Sequence, residues 1–323
     1  MHIGPQRSQP AVLTKNPIEI IQSRQMLSTK SFHLARYAAS DPIKFVEFIR
    51  RRAGEYLFTP PQGVAVTRFG EIEYEVDLSI HRIMRKYYFQ THEIFLERIF
   101  DNHLAAGQVF IDIGANCGYW SAYALQRVGR TGEIHVFEPV PHYFKIVRRL
   151  ADLNPAYRIH MNNVAVGAEA GRFRMAVVPP RPENFDNYDT NIGSSSLSPG
   201  FLDHASDVTE PMDVEVIRFD DYVDRNAIDP DRVGLIKIDV EGYESAVFDG
   251  MERLLNKPGR KVPILCEILT DLQRPHQLDG RRVVRRLEGY GYRCLDAASL
   301  KPLSSSALRF EEKHPLHISA TAL

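Results

Sequence analysis

The sequence is poor in cysteine and contains no long apolar run. Its 323 residues include only three cysteines, which are odd in number and far apart: Cys117, Cys266 and Cys294. This spacing predicts neither a disulfide framework nor a zinc site, and it favours a reduced, cytoplasmic protein. No apolar stretch approaches the roughly 20 residues that a membrane-spanning helix needs, and the first residues lack the apolar core of a signal peptide. We therefore expect no membrane partner.

A surplus of charge of either sign is also missing. Lys and Arg number 40 and Asp and Glu number 41, so the formal net charge is −1. A protein that binds nucleic acid through its overall charge carries a basic surplus, often on one face. The balance of charge therefore predicts no nucleic-acid partner.

The chain divides into two parts by pattern. Residues 1–90 are predicted to form an N-terminal arm and an α+β extension, with a polar tail over residues 1–40. Within the extension, apolar and polar residues alternate over residues 63–78, which predicts a hairpin that turns at Gly70. Residues 91–323 are predicted to form the main domain.

The main domain shows the alternating pattern of a parallel α/β sheet. An amphipathic helix is predicted over residues 91–107, with Gly107 at its end. Strand and helix patterns then alternate as βαβαβ, which indicates a parallel sheet with helices on both faces. The predicted elements are strands at Val109–Ile113, Glu133–Phe137 and Tyr157–Asn162, helices at 118–128 and Pro141–Leu153, later strands at 172–178, 212–219, Leu235–Val240, Pro263–Ile268 and Tyr292–Leu295, later helices up to Leu255 and at Arg281–Glu288, and an edge strand at 315–320.

One stretch, "VFIDIGANCGYWS" over residues 109–121, points to a ligand. It ends a strand with Asp112 and then turns through Gly114, Ala115, Asn116 and Gly118. A dinucleotide enzyme carries G-x-G-x-x-G at this place, and its turn holds a pyrophosphate. A carboxylate directly before the turn would repel a pyrophosphate, but it suits a cationic ligand without phosphate. S-adenosyl-L-methionine has that character, and an NAD enzyme is disfavoured.

The next two strand ends agree with this ligand. Glu138 follows the second strand, where an acid can accept hydrogen bonds from both ribose hydroxyls, and Pro139 ends the strand. Asn163 and Val164 follow the third strand and are predicted to border the adenine. Each of these residues could instead have a structural role in packing or in a turn. Suitable residues at the ends of three successive strands nevertheless favour a nucleoside site.

Together with three further stretches, these residues resemble the FkbM family of class I methyltransferases. "VGLIKIDVEGYESAVFDG" over residues 233–250 is similar to the family's strand followed by D-V-E-G-x-E. "IGSSSL" over 192–197 resembles its serine-rich loop, and "PILCEI" over 263–268 resembles a strand that ends in an acid. The resemblance spans about 91–295. It implies a Rossmann-like fold and transfer of a methyl group to hydroxyls of sugars, polyketides and other small molecules.

Three carboxylates are the predicted catalytic residues. Asp239 and Glu241 follow the fourth core strand, and Glu267 ends the adjacent one. Asp239 is also predicted to contact the cofactor. One of them could be the base that removes the hydroxyl proton, or two could bind Mg²⁺, which prefers oxygen ligands. Lys237 lies on the same strand face as Asp239 and is a predicted ion-pair partner. Glu244 is interpreted as a helix cap.

The leading hypothesis is therefore an S-adenosylmethionine-dependent O-methyltransferase whose partner is a small-molecule hydroxyl acceptor. The alternatives are a methyltransferase acting on RNA or protein, and a non-catalytic nucleoside-binding module. The long polar segment at about 181–211 is predicted to be a lid over the cofactor. Of the twelve histidines, His92 and His276 are the ones predicted to be worth testing.

Overall fold

The structure is a computed structural model that describes residues 42–178, 195–198, 210–268, 280–306 and 316–322. The predicted tail over 1–40, most of the predicted lid and His276 lie outside the described residues. The helices and strands of the described parts are, in chain order, α1 (Pro42–Leu57), β1 (Val64–Phe69), β2 (Ile72–Asp77), α2 (Ile83–Phe89), α3 (Glu97–His103), β3 (Val109–Ile113), α4 (Tyr119–Val128), β4 (Glu133–Phe137), α5 (Pro141–Leu153), β5 (Arg158–Asn162), β6 (Ala165–Val166), β7 (Gly171–Val177), β8 (Glu210–Ile217), α6 (Phe219–Arg225), β9 (Val233–Ile238), α7 (Glu244–Gly250), α8 (Glu252–Asn256), β10 (Ile264–Ile268), α9 (Gly280–Gly289), β11 (Tyr292–Asp296), β12 (Pro302–Leu303) and β13 (Leu316–Ala322).

An eight-stranded, mostly parallel sheet forms the centre, in the order β12-β11-β13-β10-β9-β3-β4-β5. Strands β10, β9, β3, β4 and β5 pair in parallel, so their carboxyl ends meet at one edge. A separate three-stranded sheet has the order β6-β8-β7. The predicted α/β fold with a Rossmann-like, mostly parallel sheet is confirmed, and the bounds of β3, β4 and α5 agree with the prediction to the residue.

Alternate residues of the sheet strands enter two different cores. Phe110 faces the core that α4 and α5 cover, while Ile111 and Ile113 face the core that α6 to α9 cover. All five residues of β3 are buried, as expected for a strand with helices on both faces. The prediction of helices on both faces is therefore confirmed.

The last strand was predicted at the wrong place in the sheet. β13 is antiparallel to both of its neighbours and lies between β10 and β11, so the prediction of an edge strand is wrong. Its residues from His317 to Ala320 are buried regardless of the face on which they lie. Such burial on both faces belongs to an interior strand, but a short apolar pattern in the sequence does not reveal which strands will flank it.

Three helices also differ from the prediction. Helix α2 was not predicted, and the helix predicted over 91–107 begins with a 3₁₀ turn and ends at His103. Leu104 caps it in an extended conformation with its side chain buried, so Gly107 is not the cap. The helix predicted to continue to Leu255 is divided at Met251 into α7 and α8.

The described N-terminal part packs on the main sheet's helices. Phe69 and Tyr74 of the β1–β2 hairpin contact the ring of Tyr119 in α4. The hairpin, α4 and α5 share one hydrophobic core, so the division at residue 90 stays a prediction about domains. In the described residues, no helix is long and apolar enough to span a bilayer.

Candidate functional site

Two adjoining cavities open at the carboxyl ends of the parallel strands. The first, here the Glu138 cavity, combines carboxylates that follow two strands, β4 and β9, with apolar walls. Its lining includes Gly114, Asn116, Phe137, Glu138, Pro139, Val164, Met175, Leu197, Asp239, Glu241 and Tyr243. Six residues predicted for cofactor binding therefore line it: Gly114, Asn116, Glu138, Pro139, Val164 and Asp239.

Glu138 connects the glycine turn to the start of α5 through hydrogen bonds. Its carboxylate accepts hydrogen bonds from the backbone N–H groups of Asn116 and Val140, each at 2.8 Å. The side chain is almost fully buried, and burial raises the pKa of Glu138 to about 7 although the two N–H groups oppose that shift. Each oxygen retains acceptor capacity for a ligand hydroxyl.

The glycine turn has two different structural functions. Gly114 adopts φ 81°, and a Cβ there would overlap the carbonyl oxygen of Asp239, so the turn lies directly against the end of β9. Gly118 also has a positive φ, but a Cβ there would overlap Val147 of α5. The structure therefore gives Gly118 a role in packing, and its predicted cofactor contact is not apparent.

Asp112 lies behind the cavities and lines neither of them. It is fully buried, accepts a hydrogen bond from Ser121 Oγ at 2.6 Å and lies 3.8 Å from Lys237 Nζ. Burial raises its pKa, and the ammonium of Lys237 opposes that shift. The position of Asp112 near the end of β3 was predicted correctly. Its side chain, however, contacts Lys237, and it is Lys237 that lines a cavity.

Asn163 acts on the backbone. Its Nδ2 donates to the carbonyl oxygens of Glu138 and Pro139 at 2.8 and 3.1 Å, which fixes the chain after β4. Among the two predicted residues of this strand end, Val164 lines the Glu138 cavity and Asn163 does not.

The second cavity, here the Glu267 cavity, lies on the other side of the glycine turn. It combines aromatic rings with several acids, and its lining includes Ile83, Tyr87, His92, Glu93, Ala115, Tyr119, Trp120, Lys237 and Glu267. Gly114, Asn116, Asp239 and Glu241 line both cavities. All three predicted catalytic carboxylates are thus brought to one site, and His92 lies there as well.

Asp239 stands where the two cavities meet. Its Oδ2 lies 2.9 Å from Lys237 Nζ, so the predicted ion pair is present. Burial, followed by the nearby Glu267 carboxylate, raises the pKa of Asp239 to about 6, while Lys237 opposes that shift. Its side chain is 27 % exposed, whereas that of Lys237 is 7 % exposed. Asp239 is therefore the accessible member of the pair.

The loop after β9 is held in an uncommon conformation. Glu241 has φ 53°, a left-handed value that costs a residue with a Cβ on the order of 1 kcal/mol. Ser196 Oγ donates to the carbonyl oxygen of Glu241 at 2.7 Å. Glu244 accepts from the N–H of Gly242 at 2.9 Å and is buried, which agrees with its interpretation as a helix-end residue.

Two residues of this site were missed by the sequence analysis. Glu93 lines the Glu267 cavity, and His317 of β13 lies 3.3 Å from its carboxylate and 3.2 Å from that of Glu267. Glu93 is close in sequence to the predicted His92, but no motif marks it. His317 pairs with Glu267 across neighbouring strands, and this follows only from the interior position of β13.

The chain is similar to known methyltransferases. The profile of the methyltransferase FkbM domain matches residues 112–294, more than half of the chain. The chain is 29 % identical over 226 residues to 31-O-demethyl-FK506 methyltransferase FkbM of Streptomyces tacrolimicus, covering 63 % of this chain and 81 % of that relative. It is 27 % identical over 164 residues to Methyltransferase 1 of Beauveria bassiana (strain ARSEF 2860), covering 50 % and 65 %.

Among solved structures, the chain is similar to a methyltransferase FkbM from Methylobacillus flagellatus KT. The identity is 15 % and the TM-score 0.39, with 74 % of this chain and 54 % of that chain covered. This chain thus spans about half the length of that protein. These comparisons do not support the predicted Mg²⁺, which stays a prediction.

Proposed function

Because the chain belongs to the methyltransferase FkbM domain family, and is thus an S-adenosylmethionine-dependent methyltransferase, we propose that it transfers the methyl group to a hydroxyl oxygen of a small molecule. The observation that carries this proposal is the position of Asp239, an accessible carboxylate at the junction of two cavities. One cavity suits a nucleoside and the other a polar acceptor, and transfer between them requires that they meet.

The Glu138 cavity fits the nucleoside part of the donor. Its one buried carboxylate is suited to accept hydrogen bonds from ribose hydroxyls, and its apolar walls, Phe137, Val164 and Met175 among them, suit a purine ring. Glu138 and the backbone at Gly114 and Asn116 would hold the donor. When bound, S-adenosylmethionine supplies an electrophilic methyl group on a sulfonium.

Asp239 would act as the base for the acceptor hydroxyl. A hydroxyl oxygen loses its proton during or after attack, and a carboxylate with a pKa near 6 is charged at neutral pH and can take that proton. Lys237 beside it favours the charged carboxylate and disfavours a second cation on the same oxygen. This supports Asp239 as a base over Asp239 as a metal ligand, with Glu241 and Glu267 as neighbouring acids.

The Glu267 cavity would hold the acceptor. Tyr87, Tyr119 and Trp120 supply flat apolar surface, and Glu93 and Glu267 supply hydrogen-bond acceptors. This combination suits a small molecule that carries several hydroxyl groups, such as a sugar or a natural product. The Streptomyces relative is named as a methyltransferase of 31-O-demethyl-FK506, and that name supports an oxygen atom of a small molecule as the acceptor.

The described part of the polar insertion supports a covering role. Ser195 and Leu197 line the Glu138 cavity, and Ser196 pairs with Ala176 of β7 by two backbone hydrogen bonds of 2.9 Å. Tyr87, from the N-terminal part, lines the Glu267 cavity. These two segments would then cover the donor and shape the acceptor site.

A methyl-transfer screen tests the proposal. Protein and methyl-labelled S-adenosylmethionine are incubated with a panel of sugars, polyketides, amines, RNA and peptides, and labelled product is measured. We expect label on alcohols, and at least about 100-fold less of it with Asp239→Asn. Label on amines, RNA or peptides alone would contradict the proposal, and S-adenosylhomocysteine binding with no transfer to any acceptor would favour a nucleoside-binding module.

A further inference from the structure

Three side chains from distant parts of the chain converge on the acceptor side of the site. Glu93 precedes α3, Glu267 lies in β10 and His317 in β13, and their ligand atoms all lie within 4.8 Å of one another. His317 Nε2 is 3.3 Å from Glu93 Oε1 and 3.2 Å from Glu267 Oε2. We call these three residues the Glu–Glu–His cluster.

Two of the three distances within the cluster match those between ligands of one ion. Atoms that bind a single first-row metal at about 2.1 Å lie roughly 3.0–3.4 Å apart in octahedral or tetrahedral geometry. The two distances from His317 Nε2 fall in this interval. Carboxylate and imidazole together suit Mn²⁺, Fe²⁺ and Zn²⁺ better than they suit Mg²⁺, which prefers oxygen ligands alone.

The alternative to a metal ion is an ion pair between a protonated His317 and the two carboxylates, whose charges raise the pKa of His317 well above its usual value although burial opposes that shift. His317 is 9 % exposed, and its Nε2 makes no aligned hydrogen bond although two carboxylates lie near it. A protonated imidazole has one N–H at this atom and can direct it at only one of the two oxygens. A metal ion bound by all three atoms would satisfy them together.

The backbone and the charge around the cluster agree with a cation. Glu93 adopts φ 41°, a left-handed value that is uncommon for a residue with a Cβ and is often found at functional sites. Four carboxylates line the Glu267 cavity, those of Glu93, Asp239, Glu241 and Glu267, whereas Lys237 is the one lysine or arginine among the described lining residues. Because the cavity is open, an ion there would also have coordination positions for solvent or an acceptor oxygen.

We propose that Glu93, Glu267 and His317 bind one divalent transition-metal ion at the acceptor side of the site. The ion would bind an oxygen of the acceptor and orient its hydroxyl toward Asp239, which remains the base. This role in orientation rests on the proposed function, whereas metal binding itself does not.

Metal titration of the purified full chain tests the proposal. The protein is stripped with a chelator, dialysed and titrated with Mn²⁺, followed by the electron paramagnetic resonance signal of free Mn²⁺, and with Zn²⁺ against a chromogenic chelator. We expect one ion per chain. Glu267→Gln and His317→Gln keep the size of the side chains or nearly so, and each should weaken binding at least about 100-fold because a ligand is lost.

A second group of possible ligands provides the matched control. Glu133, His135 and His160 also lie within 4.8 Å of one another, on β4 and β5 and outside both cavities. His160→Ala should leave the affinity unchanged. The proposal is overturned if the wild type binds no stoichiometric ion, if both cluster variants bind as the wild type does, or if only His160→Ala loses the ion.

Cofactor binding separates this proposal from the function. Folded cluster variants should bind S-adenosylhomocysteine within about threefold of the wild type, since the cluster lies outside the Glu138 cavity. If the wild type binds the metal but not S-adenosylhomocysteine, the proposed function fails and the metal site stands. If the wild type binds S-adenosylhomocysteine but no metal, the metal site is overturned and the proposed function is unaffected.

Discussion

The Glu138 cavity and the Glu267 cavity share a border, but the chain builds them in different ways. Most polar groups of the Glu138 cavity lie in short motifs that directly follow β3, β4 and β9, three strands that are neighbours in the sheet. The Glu267 cavity collects residues from 83–93, from the β9 loop and from β10, with His317 of β13 behind it. Under the proposed function, the donor would be bound by residues of local motifs, whereas the acceptor would be bound by residues that come together from distant parts of the chain.

The largest expected effect lies where the cavities meet. Asp239→Asn keeps the shape of the side chain but removes the base, so turnover should fall about 10²–10⁴-fold. Affinity for S-adenosylhomocysteine should change little by comparison, because Glu138 and the apolar walls remain. Single-turnover transfer and isothermal titration measure the two effects separately.

Glu241→Gln is the matched control for this variant, because it alters a carboxylate in the same loop that also lines both cavities. It should reduce turnover by less than Asp239→Asn does. Turnover near that of the wild type in Asp239→Asn would remove Asp239 from the mechanism and leave Glu241 or Glu267 as the base.

The next effect should be confined to the Glu138 cavity. Glu138→Ala would remove the two charge-assisted hydrogen bonds that we propose for the ribose, so the free energy of donor binding should weaken by about 1–3 kcal/mol. Because the change also leaves the N–H groups of Asn116 and Val140 without their acceptor, Glu138→Gln serves as the control that retains one oxygen. Isothermal titration with S-adenosylhomocysteine is the measurement. An unchanged affinity in a folded Glu138→Ala protein would show that the ribose is held elsewhere.

A smaller effect follows from the pKa of Glu138. In the ligand-free protein it is raised to about 7, and ribose hydroxyls would donate to its charged form. Affinity for S-adenosylhomocysteine should therefore fall by about tenfold between pH 8 and pH 6, since most of the carboxyl is protonated at pH 6. The stability of the ligand-free protein depends on pH in the opposite direction. Because the pKa of Glu138 is higher in the folded protein than in the unfolded chain, its contribution to the free energy of unfolding is present below pH about 4.5 and is lost as pH rises through 7.

Titration of Glu138→Gln over the same pH range isolates this group from Asp239 and Glu244, whose pKa values are raised to about 6 and 7. The variant should show a flatter profile than the wild type. Equal slopes in the two proteins would assign the pH dependence to another group.

The comparison of the cavities also explains what the sequence could predict. β3, β4 and α5 are recognisable because apolar runs and helical spacing are local patterns, and the strand-end residues Glu138 and Asp239 follow from them. The interior position of β13 depends on pairing with strands far away in sequence, so neither it nor the approach of His317 to Glu267 was predictable. Asp112 was found by position, but its burial against Ser121 depends on packing.

The smallest expected effect concerns Ser196, which contacts the loop after β9. Ser196 is buried, and its Oγ donates to the carbonyl oxygen of Glu241 at 2.7 Å and accepts from the N–H of Ser198 at 2.9 Å. Ser196→Ala should lower the free energy of unfolding by about 1 kcal/mol and lower turnover about fivefold, since it releases the strained loop at Glu241. Thermal unfolding and single-turnover transfer measure the two changes.

Ser195→Ala is the matched control, because Ser195 Oγ accepts from the N–H of Val178 at 3.0 Å and that bond does not involve Glu241. It should cost similar stability with less loss of turnover, and an equal loss in both variants would mean that the bond to Glu241 has no part in transfer.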